Sequence, residues 1–211
     1  MRVTKAQAQA NRGSIVEHAS ALFRERGFDG VGVADLMVAA GFTHGGFYNH
    51  FRSKADLIKE ALACGLEQTA AAVGGADAAQ FVQHYVSRAE RDALKTGCSL
   101  SRLGSDTARQ SEAVKTVFAE GIESILAAVR LPATPQKVAR VSPRDDEDTV
   151  SDAERGELIN LLAHSVGALV LSRGCPDNSA LADEILHACR EKLLAQLERG
   201  DFSVSTKALA A

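Results

Sequence analysis

An all-α fold follows from three features of this chain. Apolar residues recur at helical spacing, alanine and leucine stand where a sheet protein would carry β-branched runs, and only four prolines and no tryptophan occur in 211 residues. With 45% hydrophobic side chains the chain can bury a substantial core, as one compact domain with a small one or as one elongated helical unit.

The elements follow in order. Ile15, Ala19, Leu22 and Phe23 share a helical face and the pattern stops at Gly27, which predicts a first helix over roughly residues 12–26. After the turn FDGVG, the segment VADLMVAA forms a second, short helix ending at Gly41, and Thr43 stands where the N-cap of a third is wanted. That third helix, THGGFYNHF, precedes Ser53, which caps a long amphipathic fourth through Leu57, Ile58, Ala61, Leu62, Gly65 and Leu66. The resulting unit is a helix-turn-helix.

Beyond Gly74 and Gly75 the chain predicts five more helices and no internal repeat. Phe81, Val82, Tyr85 and Ala89 mark one, a short one lies near residues 100–110, and Val114, Val117, Phe118, Ile122, Ile125, Leu126 and Val129 form the most regular stripe. Residues 131–152 hold three prolines and an acidic cluster, the pattern of an exposed, mobile connection. An eighth helix, about 153–172, is apolar nearly all round, and a ninth, about 179–198, carries Leu181, Ile185, Leu186, Cys189, Leu193 and Leu197. A helix apolar on every side needs partners on every side. The expected boundary separates a helix-turn-helix domain, residues 1–54, from a larger helical domain, residues 55–211, with the fourth helix connecting them.

Charge and cysteine usage narrow the chemistry. Residues 1–60 carry eight Lys/Arg against six Asp/Glu, and residues 61–211 carry sixteen against twenty-one, so the net charge of −3 divides into +2 and −5. The first segment is therefore the better partner for an anion, through a local patch rather than a basic domain. Cys64, Cys98, Cys175 and Cys189 are widely spaced with no CxxC, so neither a metal site nor a disulfide framework is indicated and no cofactor is expected. His84, His164 and His187 sit singly, without metal-binding or catalytic spacing, and an enzyme is not expected. The N-terminus lacks a signal-peptide stretch and the longest apolar segment, 158–172, is too interrupted to span a bilayer, which predicts a cytoplasmic protein.

The stretch GFTHGGFYNHFRSK, residues 41–54, holds the most chemistry. Phe47 and Phe51, four apart, share one helical face and read as core, while His44 and Tyr48 share a neighbouring face. Gly45 and Gly46 should each cost on the order of 1 kcal/mol relative to alanine in a helix, so something must justify them. Close approach of the helix end to another surface is one reason, and its bare N–H groups favour a phosphate. Thr43, Tyr48, His50 and Lys54 add hydroxyl, imidazole and ammonium donors around the same end, as phosphate contacts require.

From Arg12 to about Leu62 the sequence resembles the TetR family of transcriptional regulators. The resemblance rests on Ala19, Phe23, Gly27, Phe28, Asp35, Leu36, Ala40, Gly41, Thr43, Phe47, Tyr48, His50, Phe51, Ser53, Lys54 and Leu57. Downstream it is one of helix number and length only. It implies a nine-helix homodimer, a third helix entering the major groove of double-stranded DNA, and Tyr48, His50 and Lys54 as backbone contacts. Gly32 departs from the pattern, standing where the family usually has a Ser or Thr cap, which costs a few tenths of a kcal/mol and removes one phosphate-contacting hydroxyl.

Further expectations follow from that resemblance. Gly45 and Gly46 have no side chain to read a base, which leaves His44 and Asn49 as the polar base readers. Dimerisation is expected through helices eight and nine, with Leu161, Leu169, Leu186 and Leu193 as candidates. A small hydrophobic effector is expected in the C-terminal domain, with Phe81, Tyr85, Phe118 and Ile122 as pocket candidates. Cys98 follows the helix-breaking Gly97 and has Lys95 and Arg102 nearby, a setting that favours a thiolate. Some members of the family respond to electrophiles through cysteine, and Cys98 is the candidate thiol sensor. The expected protein is thus a ligand-responsive repressor on a palindromic operator, and the alternative is an all-helical interaction module without DNA binding.

Overall fold

The computed structural model describes residues 4–131 and 151–199. Among them the regular elements are all helical: α1 (Lys5–Arg26), α2 (Val33–Ala39), the 3-10 helix η1 (His44–Asn49), α3 (Lys54–Val73), α4 (Ala78–Tyr85), α5 (Arg88–Asp92), α6 (Ser99–Thr107), α7 (Glu112–Ala128), α8 (Asp152–Gly174) and α9 (Ala180–Arg199). The connection expected at 131–152 falls almost entirely outside the described residues.

Three elements differ from the sequence expectation. α1 begins at Lys5 rather than near residue 12, because Thr4 caps it through a bond from the Gln7 N–H at 3.2 Å and the exposed KAQAQAN run is held by alanine and glutamine propensity, not by an apolar stripe. α5 is additional, a five-residue helix too short to show a period. The third helix is a six-residue 3-10 segment, a form that short runs adopt readily and that two glycines do little to oppose.

The chain divides into two compact units. The first contains residues up to Ala72 together with Asp92–Ile125, and the second contains Val73–Arg91 and the segment from Leu126 onward. The expected functional boundary at residue 54 falls inside the first unit, at the start of α3.

The first unit is built around Ile15, Phe23, Phe28, Leu36, Met37, Phe47, Leu57 and Leu62, each at most 1% exposed. Phe23 meets Phe28 edge to face at 5.3 Å, and truncating so buried a ring costs about 3–5 kcal/mol. Gly27 ends α1 at φ 73°, a left-handed position that favours glycine, and its N–H bonds to the Phe23 carbonyl at 2.8 Å. The next N–H, of Phe28, donates to Asp106 Oδ2 on α6 at 3.0 Å.

The same unit encloses the Arg24 guanidinium, which donates to the Lys95 carbonyl at 2.6 Å, to Ser20 Oγ at 3.0 Å and to Gln68 Oε1 at 3.3 Å. Gly65 makes the room: a Cβ there would lie 2.6 Å from Arg24 Nη1 and 2.4 Å from Ser99 Oγ. A close approach, not a turn, explains this glycine.

In the second unit α8 and α9 pack through Leu158, Leu161, Leu162, Leu169, Leu186, Leu193 and Leu197. The α8 C-terminus is satisfied by a buried cation. Arg91 Nε donates to the Ser172 carbonyl at 3.2 Å, its Nη2 to the Cys175 carbonyl at 3.2 Å, and the residue is 3% exposed. Arg173 returns the contact, Nε to the Arg91 carbonyl at 3.0 Å.

Candidate nucleic-acid interface

Residues 41–54 turn from α2 through η1 into α3. Gly41 makes the first corner at φ 81°, and Ser53 Oγ accepts the Asp56 N–H at 3.1 Å to cap α3, as the sequence predicts. α2 lacks a side-chain cap at Gly32; instead Asp35 Oδ2 accepts the Gly32 N–H at 3.3 Å. Thr43 occupies the N-cap position of η1, but its side chain makes no capping bond, so its hydroxyl remains on the exposed surface.

η1 separates rings from polar groups. Phe47 and Phe51 are 1% and 2% exposed and stack with centroids 5.5 Å apart, which fixes the inner face. Tyr48 is 71% exposed, its ring edge-on to Phe47 at 5.2 Å, and His44 and Asn49 are exposed beside it. The helix thus holds a phenol, an imidazole and a carboxamide toward solvent, donors and acceptors suited to phosphates and base edges.

The glycines have no internal reason. A methyl group at Gly45 would meet no heavy atom within 4 Å, and one at Gly46 would make ordinary contacts, 3.6 Å to Met37 Cε and 3.8 Å to Thr43 Oγ1. Neither residue has a positive φ. The fold would accept alanine at both positions.

His50 and Lys54 are engaged within the chain. Lys54 Nζ donates to the Phe28 carbonyl at 2.6 Å, leaving its other N–H donors for a second acceptor. The half-buried His50 ring lies 6.2 Å from that of Phe42, and the His50 carbonyl accepts a bond from Arg12 Nη1. Arg12 is the residue that sequence reasoning missed. Its guanidinium lies 4.2 Å over the Phe51 ring and pairs with both carboxylate oxygens of Glu60. A basic residue in an exposed-looking helical turn gives no local signal of such distant partners. Arg12, His50, Arg52, Asp56, Lys59 and Glu60 line a cleft of about 420 Å³ beside η1.

The other candidates lie elsewhere. Phe81 and Tyr85 stack at 4.9 Å on α4 in the second unit, each 2% exposed, whereas Phe118 and Ile122 are half-buried on α7 in the first unit. Cys98 takes the N-cap position of α6, as expected, but is 4% exposed. Burial pushes the Cys64 and Cys189 thiols up from their ordinary range, with Glu17 and Glu67 adding to the effect at Cys64.

The four dimer candidates Leu161, Leu169, Leu186 and Leu193 are 5%, 0%, 3% and 4% exposed within the single chain. The large apolar residues that α8 and α9 leave exposed are Ile159, Val170, Leu171 and Leu181. A groove of about 400 Å³ on the same two helices is lined by Glu157, Asn160, Leu161, Ala163, His164, Leu193, Gln196 and Leu197, so two of the four candidates border it. Among the described residues no group of three or more His, Cys, Asp or Glu is placed to hold a metal ion, and no helix is long and apolar enough to cross a membrane.

Two short helical elements joined at a glycine corner, with rings inward and hydrogen-bonding groups outward, define a helix-turn-helix domain carried on a helical body. Residues 15–61 match the family described as bacterial regulatory proteins, tetR family. The match is confined to the helix-turn-helix segment, from α1 into α3. Over 62 residues it is 41% identical to the HTH-type transcriptional regulator TtgR of Pseudomonas putida, covering 29% of this chain and 30% of that protein. Over 56 residues it is 39% identical to the HTH-type transcriptional repressor KstR2 of Mycobacterium tuberculosis, covering 26% and 28%. The matched segment therefore spans less than a third of these curated relatives.

The whole fold has solved counterparts. The reduced form of NemR from E. coli superposes with a TM-score of 0.63 at 18% identity over 87% of this chain and 95% of that one. A TetR transcriptional regulator from Chloroflexus aurantiacus gives 0.62 at 22% identity over 92% and 97%. At such identities the likeness is one of fold.

Proposed function

We propose that this protein is a transcriptional repressor that binds double-stranded DNA through residues 43–54. The observation that carries this reading is the division of η1: Phe47 and Phe51 are locked inward while Thr43, His44, Tyr48 and Asn49 stand outward beside two glycines that the fold does not require. Tyr48, His50 and Lys54 serve as phosphate contacts, His44 and Asn49 as base readers, and Gly45 and Gly46 let the backbone come close. The curated relatives matched over this segment carry the names of transcriptional regulators and repressors, which supports the same role. Residues 1–54 carry the DNA contacts, and residues 55–211 carry regulation and dimerisation.

The protein acts as a homodimer on a palindromic operator, since a two-fold dimer presents its recognition elements to two half-sites. Exposed Ile159, Val170, Leu171 and Leu181 on α8 and α9 support a second copy there. A small hydrophobic effector releases the DNA by binding the two states unequally, with Phe81 and Tyr85 of the second unit as its candidate contacts. The protein works in the cytoplasm and is not an enzyme. A gel shift with duplex DNA flanking the protein's own gene tests the reading. A discrete complex at low salt that competes poorly with unrelated DNA is expected, and no complex with any such duplex would favour an interaction module instead.

A further inference from the structure

Resting on the DNA-binding reading, we infer that Arg12 is a positioning residue for the recognition element, holding η1 in the orientation that presents Tyr48 and Asn49. Three elements meet at this one side chain. From α1, Nη1 donates to the His50 carbonyl at the C-terminal end of η1, Nε and Nη2 hold the two oxygens of Glu60 on α3, with Nε to Oε2 at 3.1 Å, and the guanidinium face covers the Phe51 ring at 4.2 Å.

Each contact suits the group it meets. The last carbonyls of a helix lack intrahelical partners and carry partial negative charge, so a cation there is favourable. A planar fork matches a carboxylate in two bonds, and its face matches an aromatic ring, a combination that a lysine ammonium cannot reproduce. The Arg12 side chain is 29% exposed and Glu60 38%. Its Nε, Nη1 and Nη2 each donate to a protein acceptor, as a positioning role requires. Since η1 is six residues long and contains two glycines, it has little intrinsic rigidity, and fixing the His50 carbonyl fixes the turn that carries Tyr48 and Asn49.

The test combines DNA affinity, its salt dependence and amide exchange on the full chain. Arg12→Ala is expected to bind the duplex flanking the protein's own gene at least about tenfold more weakly, with an unchanged slope of log K against log salt. A lost phosphate contact would lower that slope by about 0.9. Arg12→Lys keeps the charge without the fork and is expected to be nearly as weak; full rescue by lysine would overturn the inference, as would wild-type affinity in Arg12→Ala or a slope lowered by a whole contact. In the free protein, the His50 and Phe51 amides, which donate to the Phe47 carbonyl at 2.9 and 3.0 Å, should exchange about tenfold faster in Arg12→Ala while the Phe23 amide is unaffected. Equal exchange at residues 50 and 51 would also overturn it. Should Arg12→Ala fail to fold, Glu60→Gln gives the same readouts with a smaller shift in the same direction, and no shift there counts against the clasp. Failure of the wild-type protein to bind any duplex would refute the regulator reading, and amide exchange would still decide the role of Arg12.

Discussion

Replacing Gly45 by alanine should make the protein more stable and a worse DNA binder at once. The position is exposed, its φ is not positive, and a methyl group there meets no heavy atom within 4 Å, so the folded chain accepts it without strain. Alanine at a compatible glycine stabilises by about 0.4–1 kcal/mol, chiefly by restricting the unfolded chain. For a chain of this size that corresponds to a rise in Tm of roughly 1–4 °C. On the outer side the same methyl occupies the space through which the backbone of η1 would approach a base edge or a phosphate. A tenfold loss of DNA affinity, about 1.4 kcal/mol, is the expected result. Thermal unfolding and fluorescence anisotropy on one preparation measure both quantities. Gly45→Ala with unchanged affinity would refute the argument that the glycine serves close approach, and a lower Tm would refute the argument that the fold has no use for it.

Tyr48→Phe and Lys54→Ala should weaken binding to all duplexes alike, Lys54→Ala also lowering the salt slope by about 0.9 and Tyr48→Phe leaving it unchanged, whereas His44→Ala and Asn49→Ala should change the preferred operator sequence in a selection experiment. Cys98 tests the thiol-sensor role: an electrophile such as maleimide should release the wild-type protein from DNA and leave Cys98→Ser bound, and equal release of both, or no adduct on Cys98 by mass spectrometry, removes the role. Its burial predicts that adduct formation in the native state is much slower than in denaturant. For Cys64 the raised thiol pKa means less thiolate at a given pH, so iodoacetamide should modify it more slowly at pH 8 than free cysteine. The folded state holds that proton more tightly than the unfolded chain. The associated stability is therefore complete below the ordinary thiol range and lost as pH rises through the raised value, and Cys64→Ala should flatten the alkaline limb of a stability profile.

The features legible in the sequence are the ones encoded locally. Apolar spacing located α2, α3, α7, α8 and α9, Gly27 and Gly41 marked corners whose positive φ favours glycine, and Ser53 capped the helix it was expected to cap. Phe47 and Phe51, four apart, declared the inner face of η1. Where the determinant lay far along the chain, the sequence was silent. Nothing near Arg12 points to Glu60, 48 residues away, and nothing near Lys54 points to the Phe28 carbonyl, 26 residues away. α8 shows the opposite difficulty: a helix apolar nearly all round offers several faces, and only packing decides that Leu161 and Leu169 turn inward while Ile159 and Val170 stay exposed. The N-terminal turns of α1 escaped notice because they have no buried face at all.

A six-residue helix with two glycines cannot keep its shape from backbone bonds alone, so the surface proposed to meet DNA takes its rigidity from elsewhere in the first unit. Part comes from the inward rings and part from Arg12. A further part comes from α6, since Asp106 holds the Phe28 N–H in the turn before α2, and the neighbouring Phe28 carbonyl is the acceptor for Lys54. Arg24, one turn earlier on α1, is bound to the Lys95 carbonyl, 71 residues on, just ahead of α6. Hydrogen bonds to charged groups contribute about 1.5–3 kcal/mol each, and the 6% exposure of Arg24 leaves little access for water to replace its bonds. Separating the end of α1 from α6 therefore costs several such bonds, whereas moving them together costs none of these. The end of α1, the turn that presents α2 and α6 are thus tied together by hydrogen bonds from side chains, and the same Phe28 turn holds the Lys54 ammonium.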